Sequence, residues 1–309
     1  MMAALAPPFS RSQPMTRPTL RSALAAERPL VTPLAHDALS VRLIERAGFR
    51  AFAIGGSAML AARYALPDLG IAALGEMGDG IRDVAAATSL PFLADGDDGY
   101  GDAKSVAYTV AAYERMGVGG ILLEDQRRDR KQPRAEKARG VVEMTEMAQK
   151  LRTALATRQS RETLIIGRTD AYGALGLDAA IERAQRFLAL GVDAVFVAGL
   201  KSEDEYARVG RELDGALLSA AVFEGVGTPW LTPRSLGEMG YAHVSFPATL
   251  MFRIVGTMHD ALAQLRRYAD GIETMTPADE SARNRAILDD ALDSARWQAI
   301  DAGASVENA

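Results

Sequence analysis

Three acidic residues bound the chemistry open to this chain. Asp95 and Asp97 lie in the stretch Pro91-Phe-Leu-Ala-Asp-Gly-Asp-Asp-Gly-Tyr-Gly, an apolar run of strand length that ends abruptly in carboxylates and glycines. Glu124 opens Glu-Asp-Gln at the end of another apolar run. Two carboxylates two positions apart on a continuing strand point to one face and repel each other. A hard divalent cation such as Mg2+ removes that repulsion, and a third carboxylate from a neighbouring strand completes an ion site shared with water and substrate. An Asp/Gly-rich surface turn and a capping glutamate explain the same residues. Arg168, in Ile-Ile-Gly-Arg-Thr-Asp, adds a guanidinium able to hold a substrate carboxylate through two parallel hydrogen bonds. A structural ion pair with Asp170 or Glu124 is the competing reading.

These side chains need a frame that gathers the ends of separate apolar runs. The runs predict strands over Leu30 to Ala35, Ala51 to Gly56, Pro91 to Asp95, Gly120 to Glu124, Thr163 to Arg168, Ala194 to Ala198, Ala216 to Phe223 and Ala242 to Phe246. Helical stripes lie between them, such as Leu177, Ala180, Ile181, Ala184, Phe187 and Leu188. Gly48, Gly117, Gly191 and Gly240 stand where helices end and the chain turns back. Eight strand-helix units in about 230 residues predict an α/β fold, a (β/α)8 TIM-type barrel rather than an open doubly wound sheet. Asp95, Asp97, Glu124, Arg168, Asp170 and Glu224 all fall at C-terminal strand ends, where such barrels build active sites. The expected organisation is a disordered extension over 1–29, the barrel over 30–270 and a helical extension over 271–309 that packs on, or exchanges with, a neighbouring subunit. Met15 is an alternative initiator within the first stretch, which combines Arg11, Arg17, Arg21 and Arg28 with several Pro and Ser.

Composition narrows the function classes. Apolar residues make up 48% of the 309 positions and aromatics only 6%, so the core must come from Ala, Leu, Val and Ile, as in helix-covered parallel sheets. A net charge of -5 gives the whole molecule no pull toward nucleic acid or anionic membrane. The absence of cysteine removes disulfides, thiolate metal sites and cysteine nucleophiles together. No apolar run reaches the roughly 20 residues that span a bilayer, so a soluble, cytoplasmic protein is expected.

Asp37-Ala-Leu-Ser, Gly55-Gly-Ser, Leu66-Pro-Asp-Leu-Gly-Ile, Asp95-Gly-Asp-Asp-Gly-Tyr-Gly, Glu124-Asp-Gln, Gly167-Arg-Thr-Asp-Ala and Thr228-Pro-Trp-Leu-Thr-Pro follow one another along the chain. In this order they resemble the isocitrate lyase and phosphoenolpyruvate mutase superfamily. The resemblance implies a (β/α)8 barrel that binds Mg2+, with Mn2+ as a substitute, and a small 2-oxo or 2-hydroxy acid. It also implies a homo-oligomer, a tetramer with exchanged C-terminal helices. Asp95, Asp97 and Glu124 match the metal cluster, and Asp68 matches the aspartate near the metal water or the reacting group. Gly55, Gly56 and Ser57 match the segment that holds substrate through backbone amides, and Arg168 matches the arginine that binds carboxylate or stabilises an enolate. Glu224 matches a further family glutamate and completes the expected catalytic set with Arg168 and Asp68.

Departures from the pattern shape the expected reaction. Where lyases of the superfamily carry a Lys-Lys/Arg-Cys-Gly-His lid, this chain reads Arg130-Lys-Gln-Pro-Arg, with no thiol to act as acid or base. Ala198 and Ala221 stand where lyases carry a glutamate and often an asparagine. Arg127 to Arg139, with seven basic and two acidic residues, matches the mobile lid and would bring positive charge over a dicarboxylate. Oxaloacetate-type decarboxylation through a metal-stabilised enolate is the expected activity. The alternatives are a carbon-carbon lyase of the methylisocitrate or dimethylmalate type using a non-Cys acid, phosphonopyruvate or phosphoenolpyruvate chemistry, and a non-catalytic oxo-acid binder. Neither nucleic acid nor membrane is an expected partner. Of the histidines, His36 is the candidate for touching substrate, His243 is expected to be structural and His259 to lie on a helix surface.

Overall fold

Short apolar runs suit strands covered on both faces, and eight of them form one parallel sheet in the computed structural model, which describes residues 18–132, 138–225, 227–274 and 280–303. The strands are β1 (Leu30–Pro33), β2 (Phe52–Ile54), β3 (Phe92–Asp95), β4 (Gly120–Glu124), β5 (Leu164–Thr169), β6 (Ala194–Val197), β7 (Leu218–Ala221) and β8 (Tyr241–Phe246). Each strand pairs with its neighbours in sequence from β2 to β8, and β8 pairs with β1. A bridge from Leu34 to Ala53 joins β1 to β2, so the eight strands make a nearly closed (β/α)8 barrel. Predicted and observed strands agree to within one or two residues at most ends. The segment after Ile54 departs from its prediction: Gly56 already opens a helix, Gly56–Tyr64.

The outer helices bury the faces that their stripes predict. In the helix Leu177–Ala189, the buried residues are Ala180, Ile181, Ala184 and Phe187. Gly48, Gly117, Gly191 and Gly240 all have positive φ, as helix-ending turns require.

The expected boundary at residue 29 is corrected by the structure. Residues 1–17 lie outside the described residues, but Leu20–Ala26 is a helix, opened by a capping box in which Thr19 and Ser22 exchange side-chain and backbone hydrogen bonds. Its Leu20, Ala23 and Leu24 are buried in a cluster with Leu30, Ala51, Leu93, Leu122, Leu164, Ile166 and Ala194 at the N-terminal end of the barrel. A Cβ on Gly120 would fall 2.8 Å from Leu20 Cδ2, so glycine at the start of β4 lets this helix seat. Arg21 reinforces it, with Nη2 2.5 Å from Asp193 Oδ1.

Residues 18–253 form one compact unit, and the described residues from Ile254 onward belong to a second. This division falls inside the helix Thr249–Ala269. That helix shows an exposed apolar stripe, including Phe252, Val255, Met258, Leu262 and Leu265. Two further helices follow, Ser281–Ala291 and Ser294–Asp301. No helix among the described residues is long and apolar enough to cross a membrane.

His243 is structural, as its position on β8 predicts. It is buried between Thr32 Oγ1, 2.8 Å from Nε2, and Ser219 Oγ, 2.6 Å from Nδ1, so two hydroxyls satisfy a neutral ring. Burial pushes its pKa from 6.5 down to about 4. The unfolded chain therefore takes up this proton first, and stability present above the ordinary value is lost as pH falls through the window between them, by up to about 3 kcal/mol. His243→Asn is expected to flatten the slope of unfolding free energy between pH 6.5 and 4. An unchanged slope in the variant would show that other groups carry it.

Candidate active site

Asp95 ends β3 and points into the barrel mouth, but Asp97 reaches the same place by a different route from the one predicted. The strand stops at Asp95, and Asp97 sits at φ 47 in a turn where Gly96 N–H donates to Leu122 O and Gly99 N–H to Gly96 O. Gly99, at φ 83, backs onto Val106 so closely that a Cβ would lie 2.3 Å from it. Asp95 Oδ1 accepts from Asp97 N–H at 3.1 Å, and Glu124 N–H at the end of β4 donates to Asp97 O at 2.8 Å. The Tyr113 hydroxyl, itself bonded to Tyr100, donates to the Asp95 carbonyl at 2.9 Å and fixes the strand end from behind. Asp95, Asp97 and Glu124 thus each offer an oxygen, all within 4.8 Å of one another. Three convergent carboxylates are a donor set suited to a hard cation.

Arg168 on β5 faces the cluster. Its Nη1 lies 3.2 Å from Glu124 Oε2, while Nε and Nη2 donate to Asp170 Oδ2 and Oδ1 at 3.0 and 2.7 Å. Both ion pairs that the sequence offered are therefore present at once, and the guanidinium also lines the cavity, 5.5 Å from the Phe196 ring centroid. Asp125 steadies this pair of strand ends, accepting from Thr169 Oγ1, Asp170 N–H and Arg183 Nη1 at 2.8 to 3.0 Å.

A second cation is buried in the cluster. Lys131 Nζ lies 3.1 Å from Asp68 Oδ1 and 3.2 Å from Glu124 Oε1, and it bonds Asp97 Oδ1. Burial pushes the Asp95 carboxyl up, and it pushes Asp97 to about 8 despite the Lys131 ammonium beside it. Burial acts on Glu124 in the same direction, but Lys131 and Arg168 outweigh it and hold that carboxyl below its ordinary value. Asp170 is raised by burial to about 7, against the pull of Arg168. Burial is the first cause of the three upward shifts, and gathering several buried carboxylates in one place is the arrangement that a divalent ion relieves.

The cavity beside these groups has a volume of about 120 Å³. Gly55, Gly56 and Ser57 line it where β2 passes into its helix, and Gly56 N–H lies 3.5 Å from Asp95 Oδ2. Asp68, Lys131 and Gln132 also reach it. From β6 to β8 the wall is Phe196, Ala198, Gly199, Ala221, Phe223 and Pro247, with Tyr206, Thr228 and Ser245 as its polar members.

Not every predicted residue joins. Glu224 lies beyond β7, bonded to Arg253 at 3.1 Å, and does not line the cavity. His36 is buried outside the cavity lining with Nδ1 unbonded, beside Asp37, which caps the next helix. His259 is exposed. In the basic segment Arg127 to Arg139, Arg128–Arg130 forms one 3-10 turn, and the part at 133–137 lies outside the described residues. Sequence reasoning missed the individual importance of Lys131, because it took the seven cations together as a basic lid and gave none of them a place among the carboxylates.

A family model, phosphoenolpyruvate phosphomutase, matches residues 20–266, the stretch that carries every group above. The chain belongs to this family. It is an enzyme of the isocitrate lyase and phosphoenolpyruvate mutase superfamily, as its relatives bear out. A Corynebacterium glutamicum protein named "Probable 2-methylisocitrate lyase 1" is 36% identical over 252 residues, 82% of each chain. An oxaloacetate decarboxylase of a Bradyrhizobium species is 35% identical over 189 residues, 61% of this chain and 65% of that one. The solved structure of an oxaloacetate acetylhydrolase bound to the inhibitor 3,3-difluorooxalacetate superposes with a TM-score of 0.83 at 28% identity, covering 94% of this chain and 97% of that one. The names of these relatives span lyase, decarboxylase and acetylhydrolase reactions.

Proposed function

We propose that this enzyme breaks a bond next to the carbonyl of a small 2-oxo acid, and that the reaction is decarboxylation of an oxaloacetate-type acid with Mg2+. The division of the cavity into two walls carries this reading. On the β2-to-β5 side stand Asp68, Asp95, Lys131, Arg168 and the Gly55-Gly56 backbone; from β6 to β8 no described lining residue is a carboxylate, ammonium, imidazole or thiol. A divalent ion held by Asp95, Asp97 and Glu124 would supply Lewis-acid polarisation of the 2-oxo group. Gly55 and Gly56 orient the acid, and Arg168, rigid in its fork to Asp170, holds positive charge where the enolate oxygen develops. A carboxylate placed against Phe196, Ala198 and Ala221 gives up hydration that neutral carbon dioxide does not need, so that wall favours the leaving group.

Retro-aldol cleavage of a substituted malate is the second reading, favoured by the identity to the Corynebacterium glutamicum protein. It needs a base for the hydroxyl proton and an acid for the departing carbon. Gln132, in the lyases' cysteine position, is neither, so this reading assigns those roles to Asp68 and Lys131, which also line the cavity. The exposed stripe of Thr249–Ala269 supports a homo-oligomer built through that helix, as the resemblance implied.

Proton NMR of the enzyme with Mg2+ and, separately, oxaloacetate, 2-methylisocitrate, 2,3-dimethylmalate and phosphonopyruvate tests the assignment against enzyme-free and Glu124→Ala controls. Pyruvate from oxaloacetate, formed faster than in both controls, is the expected result. Cleavage of a substituted malate alone would overturn decarboxylation in favour of the second reading.

A further inference from the structure

We propose that Lys131 is a tethered cation that fills the acidic cluster in the metal-free enzyme and must withdraw for a divalent ion to bind. The inference rests on the reading of Asp95, Asp97 and Glu124 as the metal ligands. An ammonium has three donors, and each of the three is matched here by one carboxylate: Asp68, Asp97 and Glu124. The last two belong to the triad, and Lys131 uses Asp97 Oδ1 and Glu124 Oε1, oxygens of the kind an ion would need. Lys131, only 4% exposed, draws on these same oxygens from inside the cluster, and two cations sharing them repel.

The backbone on both sides of Lys131 is pinned. Lys131 N–H donates to Arg128 O at 3.3 Å, Arg128 is itself tied to Asp98 at 3.2 Å, and Gln132 N–H donates to Gln126 Oε1 at 2.6 Å. Displacement therefore falls to the flexible lysine stem. Asp68 lies outside the triad and gives the withdrawn ammonium a partner. Lys131 thus performs two tasks with one charge: it prevents mutual repulsion of the carboxylates in the empty site, and it sets the ion concentration at which the site fills.

Mn2+ serves as the probe, with bound and free ion separated by electron paramagnetic resonance for wild type, Lys131→Met and Asp95→Ala. Lys131→Met is expected to bind Mn2+ tighter by about tenfold or more, because no competitor remains. In chelator it is expected to melt below wild type, with the gap closing as Mn2+ saturates the site. Lys131→Gln, purified in Mn2+ and then dialysed, replaces the Met variant if that variant does not fold. Equal Mn2+ affinity in wild type and the variant overturns the competition while leaving the metal site in place. Mn2+ binding that is absent from wild type and from the lysine variants, or unaltered in Asp95→Ala, overturns the reading of the cluster itself.

Discussion

Replacing Glu124 with alanine is expected to lower Mg2+-dependent turnover by about a thousandfold or more while the barrel stays folded. Glu124 is the ligand that ties the two halves of the site together, since one of its oxygens meets Lys131 and the other Arg168. Its removal leaves neither cation stranded: Arg168 keeps both bonds to Asp170, and Lys131 keeps Asp68 and Asp97. The backbone bond from residue 124 to Asp97 O does not depend on the side chain. One negative charge fewer in a buried, acid-rich cluster also relieves repulsion among the rest. Steady-state rates across a Mg2+ titration, with circular dichroism of the same samples, check both halves of the expectation. Full activity in the variant, or in wild type with excess chelator, would sink the metal assignment.

Arg168 is expected to matter as much, but with a cost in stability that Glu124 does not carry. Its guanidinium serves Asp170 through two nitrogens and Glu124 through the third, a division that a lysine ammonium cannot reproduce. Arg168→Lys is expected to lower kcat/KM by about a thousandfold, the scale of losing a positioned charge at a developing oxyanion. Arg168→Ala should in addition destabilise the fold by about 3 kcal/mol, because it leaves the fully buried Asp170 carboxylate without its partner. Adding Asp170→Asn to Arg168→Ala is then expected to restore much of the stability and none of the activity. Denaturant unfolding and initial rates on the same set of variants separate the two roles. Wild-type kcat/KM in Arg168→Lys would show that the guanidinium is a structural element only.

The barrel was legible because buried parallel strands must be short and apolar, and because glycines end the helices between them. The order of charged groups at the strand ends was equally visible, and it brought Asp95, Glu124 and Arg168 together as expected. Other residues required geometry. Asp97 joins Asp95 through a left-handed turn, not through strand alternation, and periodicity does not encode such a turn. Lys131 was hidden in a basic run whose neighbours are exposed, although its own side chain is 4% exposed. Glu224 followed from its place just past a strand end and from the resemblance, but a local pairing with Arg253 holds it outside the cavity. The N-terminal helix was obscured by the Arg, Ser and Pro of the stretch in which it lies. Its signal was nevertheless present in Thr19 and Ser22 at cap spacing and in Leu20, Ala23 and Leu24 along one face.

That same helix carries a consequence for the order in which the molecule is assembled. Leu20 and Leu24 are among the early residues to leave the ribosome, yet the cluster that buries them includes Leu164, Ile166 and Ala194, and Arg21 pairs with Asp193, 172 positions later. At roughly 5 to 20 residues per second, the nascent segment waits on the order of ten to thirty seconds for its docking surface to be made. During that interval its apolar face is available to chaperones and to other nascent chains, and the barrel floor stays open until the sixth strand arrives. The first helix of the described residues thereby cannot seat until β6 has been made, which ties completion of this fold to the release of well over half the chain.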